Sequence, residues 1–408
     1  MMLAAAVSAA EVPVTTVLVV LAAILIAAKA LGELAERFGQ PAVVGELLAG
    51  VLLGPSILGL VDPGLPVLHV LAEIGVLILL FHIGLETDLR RLLSVGGAAA
   101  TVALVGVVLP FALGYLVATQ LGLPELPALV VGASLTATSV GITARVLADL
   151  GRLQERESQV VLGAAVLDDI VGLIILAVVA QIVGGATLSV GSVALITAIA
   201  FGFVAAALLV GRLAVPPVFG ALARLGSEQA LATFALALAF LTAVLADRVG
   251  SALIIGAFTA GLAFAPTVHA PAIERGVVRL GHFFVPIFFV SVGAAVDIRT
   301  FGESRVIITG LALVVVGVVG KVAAGYAPFW FKGRKAVIGV GMVPRGEVGL
   351  IFAQTGRTAG VLDPGLYAAI TFMVIVTTLL APPLLKRMLG PARGRPSGDR
   401  PGELVHEA

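Results

Sequence analysis

Long apolar stretches separated by short polar loops run along almost the whole chain. A helix needs about 20 apolar residues to cross a bilayer, and thirteen stretches approach or exceed that length. They lie at approximately residues 12–32, 41–60, 67–85, 98–121, 124–149, 157–183, 189–212, 229–247, 250–267, 278–298, 304–330, 334–359 and 364–388. The pattern therefore predicts an all-α polytopic membrane protein with 13 transmembrane helices.

The basic residues test this count, because cytoplasmic loops of membrane proteins are enriched in Lys and Arg. Thirteen spans place the two termini on opposite sides of the membrane. Of the 25 Lys and Arg residues, 19 then lie in the loops and tail on one side, 4 lie on the other side, and 2 lie within spans. This bias predicts an outside N-terminus and a cytoplasmic C-terminus.

The composition fits a membrane protein and argues against several other classes. The chain has 408 residues, 60% hydrophobic and 12% charged, whereas soluble domains have about 25% charged residues. It has no cysteine, which excludes thiolate metal sites, and its 5 histidines form no cluster in the sequence. A net charge of +1 gives no electrostatic case for nucleic acid. We expect no cofactor.

Two predicted spans contain residues that interrupt a helix at membrane depth. Residues 124–149 include SLTATSVGIT, and residues 334–359 include GVGMVPRGEVG. Unwound backbone is tolerated in a bilayer only where protein buries it or where it lines a cavity. Matched breaks in two halves of a chain point to a transporter site. The interrupted spans are the fifth and the twelfth, an odd separation, so the sequence predicts an inverted repeat with two crossed discontinuous helices.

Ionisable residues lie in the middle of two other spans. Asp168 and Asp169 lie in the sixth span, and Lys321 lies in the eleventh. Such residues cost a few kcal/mol each in hydrocarbon and mark ion pathways. Adjacent helical residues point about 100° apart, so one carboxylate can face an ion path while the other meets a neighbouring helix. We pair Lys321 with Asp168 and assign Asp169 as the metal ligand, the carboxylate that binds a monovalent cation.

The two helix breaks supply the remaining candidates. Thr138 and Ser139 in the first break offer oxygen ligands to a hard cation. Arg345 and Glu347 in the second break are expected to compensate the partial charges of the helix ends. Two plainer interpretations stay open. The lysine–aspartate pair could be a structural salt bridge, and the two hydroxyls could bond to carbonyls of their own helix.

The sequence also contains seven longer motifs, QPAVVGELLAGVLLGPSILGL, LAEIGVLILLFHIGLETDL, TATSVGITARVLADLG, LGAAVLDDIVGLI, PIFFVSVGAAVDI, GVVGKVAAG and GVGMVPRGEVGLIFAQTG. Together they resemble the bacterial monovalent cation:proton antiporter-2 family, specifically its electrogenic Na⁺/H⁺ antiporters with an Asp-Asp pair. The resemblance implies a homodimer with elevator-like movement of a six-helix core. It implies that Asp169 matches the essential ion-binding aspartate, and that Asp168 matches the aspartate paired with a lysine, here Lys321.

The resemblance and the repeat together divide the chain into five regions. We expect dimerisation-domain helices in 12–97, core ion-transport helices in 98–188, a linker helix and further dimerisation-domain helices in 189–303, core helices in 304–388, and a disordered cytoplasmic tail in 389–408. The expected location is the bacterial inner membrane, with membrane lipids as surrounding partners.

The residues and the resemblance predict a secondary antiporter that exchanges Na⁺ or Li⁺ for H⁺. A K⁺/H⁺ antiporter on the same scaffold is the main alternative, because hydroxyls and carboxylates serve either ion. A proton-coupled transporter of organic solutes would need more aromatic and amide groups than this chain has, with 1 Trp and 3 Tyr. An intramembrane aspartyl protease needs its two carboxylates on separate helices, so we expect no enzymatic activity.

Overall fold

The computed structural model describes residues 13–183, 190–225, 228–296, 299 and 303–390. These described residues form sixteen α-helices and no strand, which confirms the predicted fold class. The helices are α1 (Val14–Arg37), α2 (Ala42–Leu53), α3 (Pro66–Glu86), α4 (Leu89–Ser94), α5 (Gly96–Gln120), α6 (Glu125–Ser134), α7 (Val140–Asp149), α8 (Arg156–Val183), α9 (Val190–Leu225), α10 (Glu228–Arg248), α11 (Leu253–Phe264), α12 (Ala270–Ala294), α13 (Ser304–Tyr326), α14 (Lys335–Gly341), α15 (Glu347–Thr358) and α16 (Pro364–Leu389). Nearly all of the predicted tail lies outside the described residues.

Each of the thirteen predicted stretches corresponds to one helix, or to two helices at 124–149 and 334–359. Nine helices in the described part are long and apolar enough to cross a membrane, by length and composition, and α2, α6 and α11 are shorter apolar helices. The stretch at 41–60 is helical only to Leu53, because Gly54 and Pro55 follow it and proline does not continue a helix. The short helix α4 was not among the predicted elements.

Helices at equivalent positions in the two halves pack in equivalent ways. α5 packs against α6 and α8, and α13 packs against α14 and α16. In the same manner α1 packs against α2, and α10 packs against α11. We call α5–α8 with α13–α16 the break bundle, and α1–α3 with α10–α12 the flanking bundle. The repeated packing agrees with the predicted inverted repeat.

Glycines let the helices of the flanking bundle approach each other at their backbones. A Cβ at Gly50 on α2 would lie 2.2 Å from the carbonyl oxygen of Val290 on α12. A Cβ at Gly261 on α11 would lie 2.3 Å from the carbonyl oxygen of Phe81 on α3. Small residues permit such close helix contacts in membrane proteins. The two contacts occupy equivalent places in the repeat.

The two bundles touch on one side and separate on the other. α7 packs against α2 and α3, and apolar side chains such as Val76, Leu79, Ile142 and Val146 belong to one continuous core there. On the side where α3 begins, a cavity of about 440 Å³ lies between α2, α3 and α12 of the flanking bundle and α15 and α16 of the break bundle. The cavity reaches Gly346, in the second helix break.

Candidate functional site

Both predicted helix breaks are present, and they lie against each other. Residues 135–139 separate α6 from α7, and residues 342–346 separate α14 from α15. The Ser139 amide donates to the Pro344 carbonyl oxygen at 2.8 Å. The Ser139 side chain is only 4% exposed, and a Cβ at Gly346 would lie 2.8 Å from its Oγ. The two unwound segments therefore cross in direct contact inside the protein.

Buried hydroxyl groups bond to the carbonyl oxygens that the second break frees. Thr138 donates to Met342 at 3.2 Å, Thr143 donates to Gly341 at 2.7 Å, and Thr378 donates to Arg345. Such partners allow unwound backbone to exist at membrane depth. The Thr138 hydroxyl thus bonds to the opposite break, not to its own helix, and its oxygen keeps lone pairs that can accept.

Lys321 and Asp168 form a completely buried ion pair. Lys321 Nζ lies 3.0 Å from Asp168 Oδ2, and both side chains are 0% exposed. The same ammonium donates to the Thr136 carbonyl oxygen in the first break at 2.6 Å. Gly106 on α5 lies against it, since a Cβ there would be in ordinary van der Waals contact with Nζ at 3.4 Å. The pair that we expected from the sequence therefore joins α8, α13 and the first break.

Asp169 lies next to this pair on α8 and is 5% exposed. Gly172 follows one turn later, on the same side of the helix as the two aspartates. A Cβ at Gly172 would lie 3.9 Å from Ala137 Cβ and 3.9 Å from Val348 Cγ1. Val348 also lines the cavity between the bundles. The helix that carries both aspartates therefore passes both breaks near the end of the cavity.

Arg345 is the second fully buried cation at the crossing. Its Nη1 donates to the Ala137 carbonyl oxygen at 2.7 Å, just beyond the C-terminal end of α6. Its Nε and Nη2, like Asp168 Oδ1, have no hydrogen-bond partner in the part of the chain that the structure describes. Glu347 provides the first backbone position of α15, and its side chain lies outside the described part.

Sequence reasoning missed several residues that shape this site. Thr143 and Thr378 satisfy freed carbonyls, while Gly106 lies against the Lys321 ammonium. Gly317 lies beside the first break and Arg345, because a Cβ at Gly317 would lie 3.0 Å from Leu135 Cδ2 and 3.8 Å from Arg345 Nη2. Thr143 could have been identified from the sequence, because it places a hydroxyl group at membrane depth. Nothing in the local sequence distinguishes the glycines from other membrane glycines.

Tertiary structure also brings together ionisable groups away from the crossing. His82 Nε2 on α3 lies 3.3 Å from Glu86 Oε1 and 4.0 Å from Glu274 Oε1 on α12. The cluster was invisible in the sequence because Glu274 is far from the other two along the chain. Its interactions connect two helices of the flanking bundle.

Comparisons with known proteins reach the same fold and the same family. A family model described as sodium/hydrogen exchanger, transmembrane, matches residues 16–390. The chain is 40% identical to the high-affinity Na⁺/H⁺ antiporter NhaS3 of Synechocystis sp., over 94% of this chain and 92% of that protein. It is 38% identical to the Na⁺/H⁺-K⁺ antiporter GerN of Bacillus cereus, over 91% and 95% of the two chains.

A solved structure agrees with the architecture. The sodium proton antiporter MjNhaP1 from Methanocaldococcus jannaschii superposes with a TM-score of 0.69, covering 91% of this chain and 97% of that chain at 15% identity. The resemblance identified from the motifs is therefore confirmed at the level of the family. The chain belongs to the transmembrane sodium/hydrogen exchanger family, as a multi-pass membrane protein that exchanges a cation for protons.

Proposed function

We propose that this protein exchanges Na⁺ or Li⁺ for H⁺ and that the exchange is electrogenic. One observation carries the proposal: a buried Lys321–Asp168 ion pair next to a second buried carboxylate, Asp169, where two broken helices cross. The relatives NhaS3 and GerN are both Na⁺/H⁺ antiporters, which supports the choice of ion.

Asp169 is the carboxylate for which the cation and the proton compete. A hard cation such as Na⁺ needs several oxygen ligands. Thr138 and Ser139 are buried in the first break, close to the helix that carries Asp169, and their hydroxyl oxygens can accept or coordinate. When the cation leaves, a proton takes its place on Asp169, because a buried carboxylate at membrane depth is more costly to keep ionised than neutral.

Asp168 and Lys321 couple this exchange to charge movement. A cation bound by Asp169 also attracts Asp168, whose Oδ1 has no hydrogen-bond partner in the described structure. If Asp168 turns toward the cation, the Lys321 ammonium loses its counter-ion, and a buried charge without compensation is strongly unfavourable. Lys321 then releases its proton. Two protons move for each cation, which makes transport electrogenic.

Alternating access follows from the relative position of the two bundles. We assign the break bundle as the core transport domain and the flanking bundle as the dimerisation domain of a homodimer in the bacterial inner membrane. With an outside N-terminus, the cavity between the bundles faces outward. An elevator-like shift of the break bundle would close that cavity and open the contact of α7 with α2 and α3. Arg345 and Glu347 compensate the helix ends throughout the movement.

The second candidate is a K⁺/H⁺ antiporter with the same site. The relative GerN is a Na⁺/H⁺-K⁺ antiporter, and carboxylate and hydroxyl oxygens bind either ion. Proteoliposomes with an imposed ΔpH separate the candidates. We expect Na⁺ and Li⁺ to dissipate the gradient and K⁺ to leave it unchanged at equal concentration. Dissipation by K⁺ alone would establish the alternative.

A further inference from the structure

We infer that a pocket at one end of the break bundle binds the headgroup of an anionic phospholipid. The pocket has a volume of about 280 Å³ and lies between the start of α5, the start of α8 and the loop from α13 to α14. Arg156, Trp330, Phe331 and Lys332 line it together with the first residues of α5. All three elements lie on the side that carries most of the basic loops.

Two positive charges line this pocket without a carboxylate partner in the described residues. Arg156 and Lys332 are both exposed, and neither forms an ion pair there. The acids closest in sequence to Arg156 are engaged elsewhere. Glu155 Oε2 lies 3.0 Å from Arg334 Nη2, and Glu157 Oε1 accepts from the Arg334 amide at 3.0 Å. The pocket therefore offers net positive charge to an anion.

The apolar surface beside the charges favours a lipid over a soluble anion. Phe329 is 81% exposed and Trp330 is 52% exposed, and their rings meet edge to face with centroids 4.9 Å apart. The Arg156 guanidinium lies over the Phe331 ring, 5.4 Å from its centroid. Aromatic residues anchor membrane proteins at the bilayer interface. Basic pockets between helices at this level bind anionic headgroups, and the exposed rings would contact the acyl chains.

The start of α5 adds to the positive potential. α5 begins at Gly96 without a side-chain cap, and a Cβ at Gly97 would meet no atom within 4 Å. The first turn of a helix carries partial positive charge, and Gly97 brings that turn into the lining of the pocket. An anionic headgroup here would tie α5 to α8 and to the α13–α14 loop. Helices α5, α8 and α13 surround the buried Lys321–Asp168 pair. The bound lipid would therefore stabilise the break bundle.

Trp330 makes the proposal directly measurable, because it is the only tryptophan of the sequence. The protein is reconstituted into phosphatidylethanolamine vesicles that contain a fixed fraction of phosphatidylglycerol or phosphatidylcholine with brominated acyl chains. Bromine quenches Trp330 fluorescence only at close range. We expect brominated phosphatidylglycerol to be enriched beside Trp330 on the order of tenfold over brominated phosphatidylcholine, since each basic residue contributes several-fold. Salt should reduce that preference by screening.

Three variants give the matched controls. The R156Q/K332Q double variant should quench equally with both brominated lipids, whereas R156K/K332R keeps both charges and should keep the preference. K29Q/R37Q removes two basic residues of α1 that do not line the pocket and should behave like the wild type. Equal quenching by both lipids in the wild type, or an intact preference in R156Q/K332Q, would overturn the proposal. Release of the brominated lipid by millimolar inorganic phosphate would show a site for free phosphate instead.

Discussion

Lys321 and Asp168 stabilise each other at a depth where neither is tolerated alone. Both are fully buried and 3.0 Å apart. Removing one member of such a pair costs about 3–5 kcal/mol, because the other charge stays buried without compensation, whereas replacing both members by neutral groups is often close to neutral. Comparing single with double replacement therefore separates a structural role of the pair from a role in charge coupling.

Lys321→Gln should lower thermal stability in detergent and make transport electroneutral or inactive. D168N/K321Q should regain most of the lost stability, because no buried charge remains, but should not regain electrogenic transport. Thermal unfolding measures the first effect, and current on a solid-supported membrane measures the second. Unchanged current from Lys321→Gln would refute the coupling role. Wild-type current from the double variant would show that the pair has only a structural role.

At the scale of single elements, the sequence was informative wherever the signal is local. The breaks at 135–139 and 342–346 are marked by runs of Gly, Pro, Ser and Thr in otherwise apolar spans. Asp and Lys residues in apolar spans likewise indicate an ion-binding site, because burying them in a membrane costs free energy that only a functional role justifies. Gly54 and Pro55 were a local signal that α2 ends at Leu53. The predicted stretch ran on to residue 60 because its length was chosen to cross a bilayer.

Pairings between distant residues could not be predicted in this way. Thr143 and its acceptor Gly341 are 198 residues apart, and only the folded chain brings them together. Thr377 and Thr378 are adjacent, buried and chemically alike, yet only Thr378 donates to the second break. The hydrophobic pattern determines which face of α16 is buried. The position of the neighbouring break determines which of the two hydroxyls donates a hydrogen bond outside its own helix.

That adjacent pair provides a test of how the break is held. Thr378→Val removes the donor to the Arg345 carbonyl and leaves a buried acceptor unsatisfied, which costs about 1–3 kcal/mol. Thr377→Val should cost much less, because its hydroxyl bonds only to carbonyls of its own helix. Thermal unfolding of the two variants checks the difference. Equal destabilisation would mean that the Thr378 hydrogen bond does not support the break.

For the whole molecule, the central feature is the contact between the two bundles. It is closed where α7 meets α2 and α3 and open at the cavity that reaches Gly346. The apolar stretches and the loop charges predicted the thirteen spans, and the matched breaks predicted the two halves. Which side of the contact is closed depends on the packing between the two bundles. Local sequence patterns do not predict that packing, because it joins residues that are far apart in the chain.

Cross-linking the bundles should stop transport if they move relative to each other. The chain has no cysteine, and a Cβ at Gly141 on α7 would lie 3.6 Å from Val76 Cγ2 on α3. Oxidation of V76C/G141C should abolish exchange in proteoliposomes, and reduction should restore it. The control pair G32C/A42C lies within the flanking bundle, with Cβ atoms 3.8 Å apart, and should tolerate oxidation. Full activity of oxidised V76C/G141C would exclude the elevator-like shift.

The most direct test of the ion site is proton exchange by Asp169→Asn in proteoliposomes with an imposed ΔpH. The amide can neither release a proton nor attract a cation as a carboxylate does, and its size is almost unchanged. We predict a protein that folds and reconstitutes like the wild type but shows no Na⁺- or Li⁺-driven exchange. The control Asp247→Asn, an exposed acid at the end of α10, should exchange normally. Robust Na⁺/H⁺ exchange by Asp169→Asn would contradict the account.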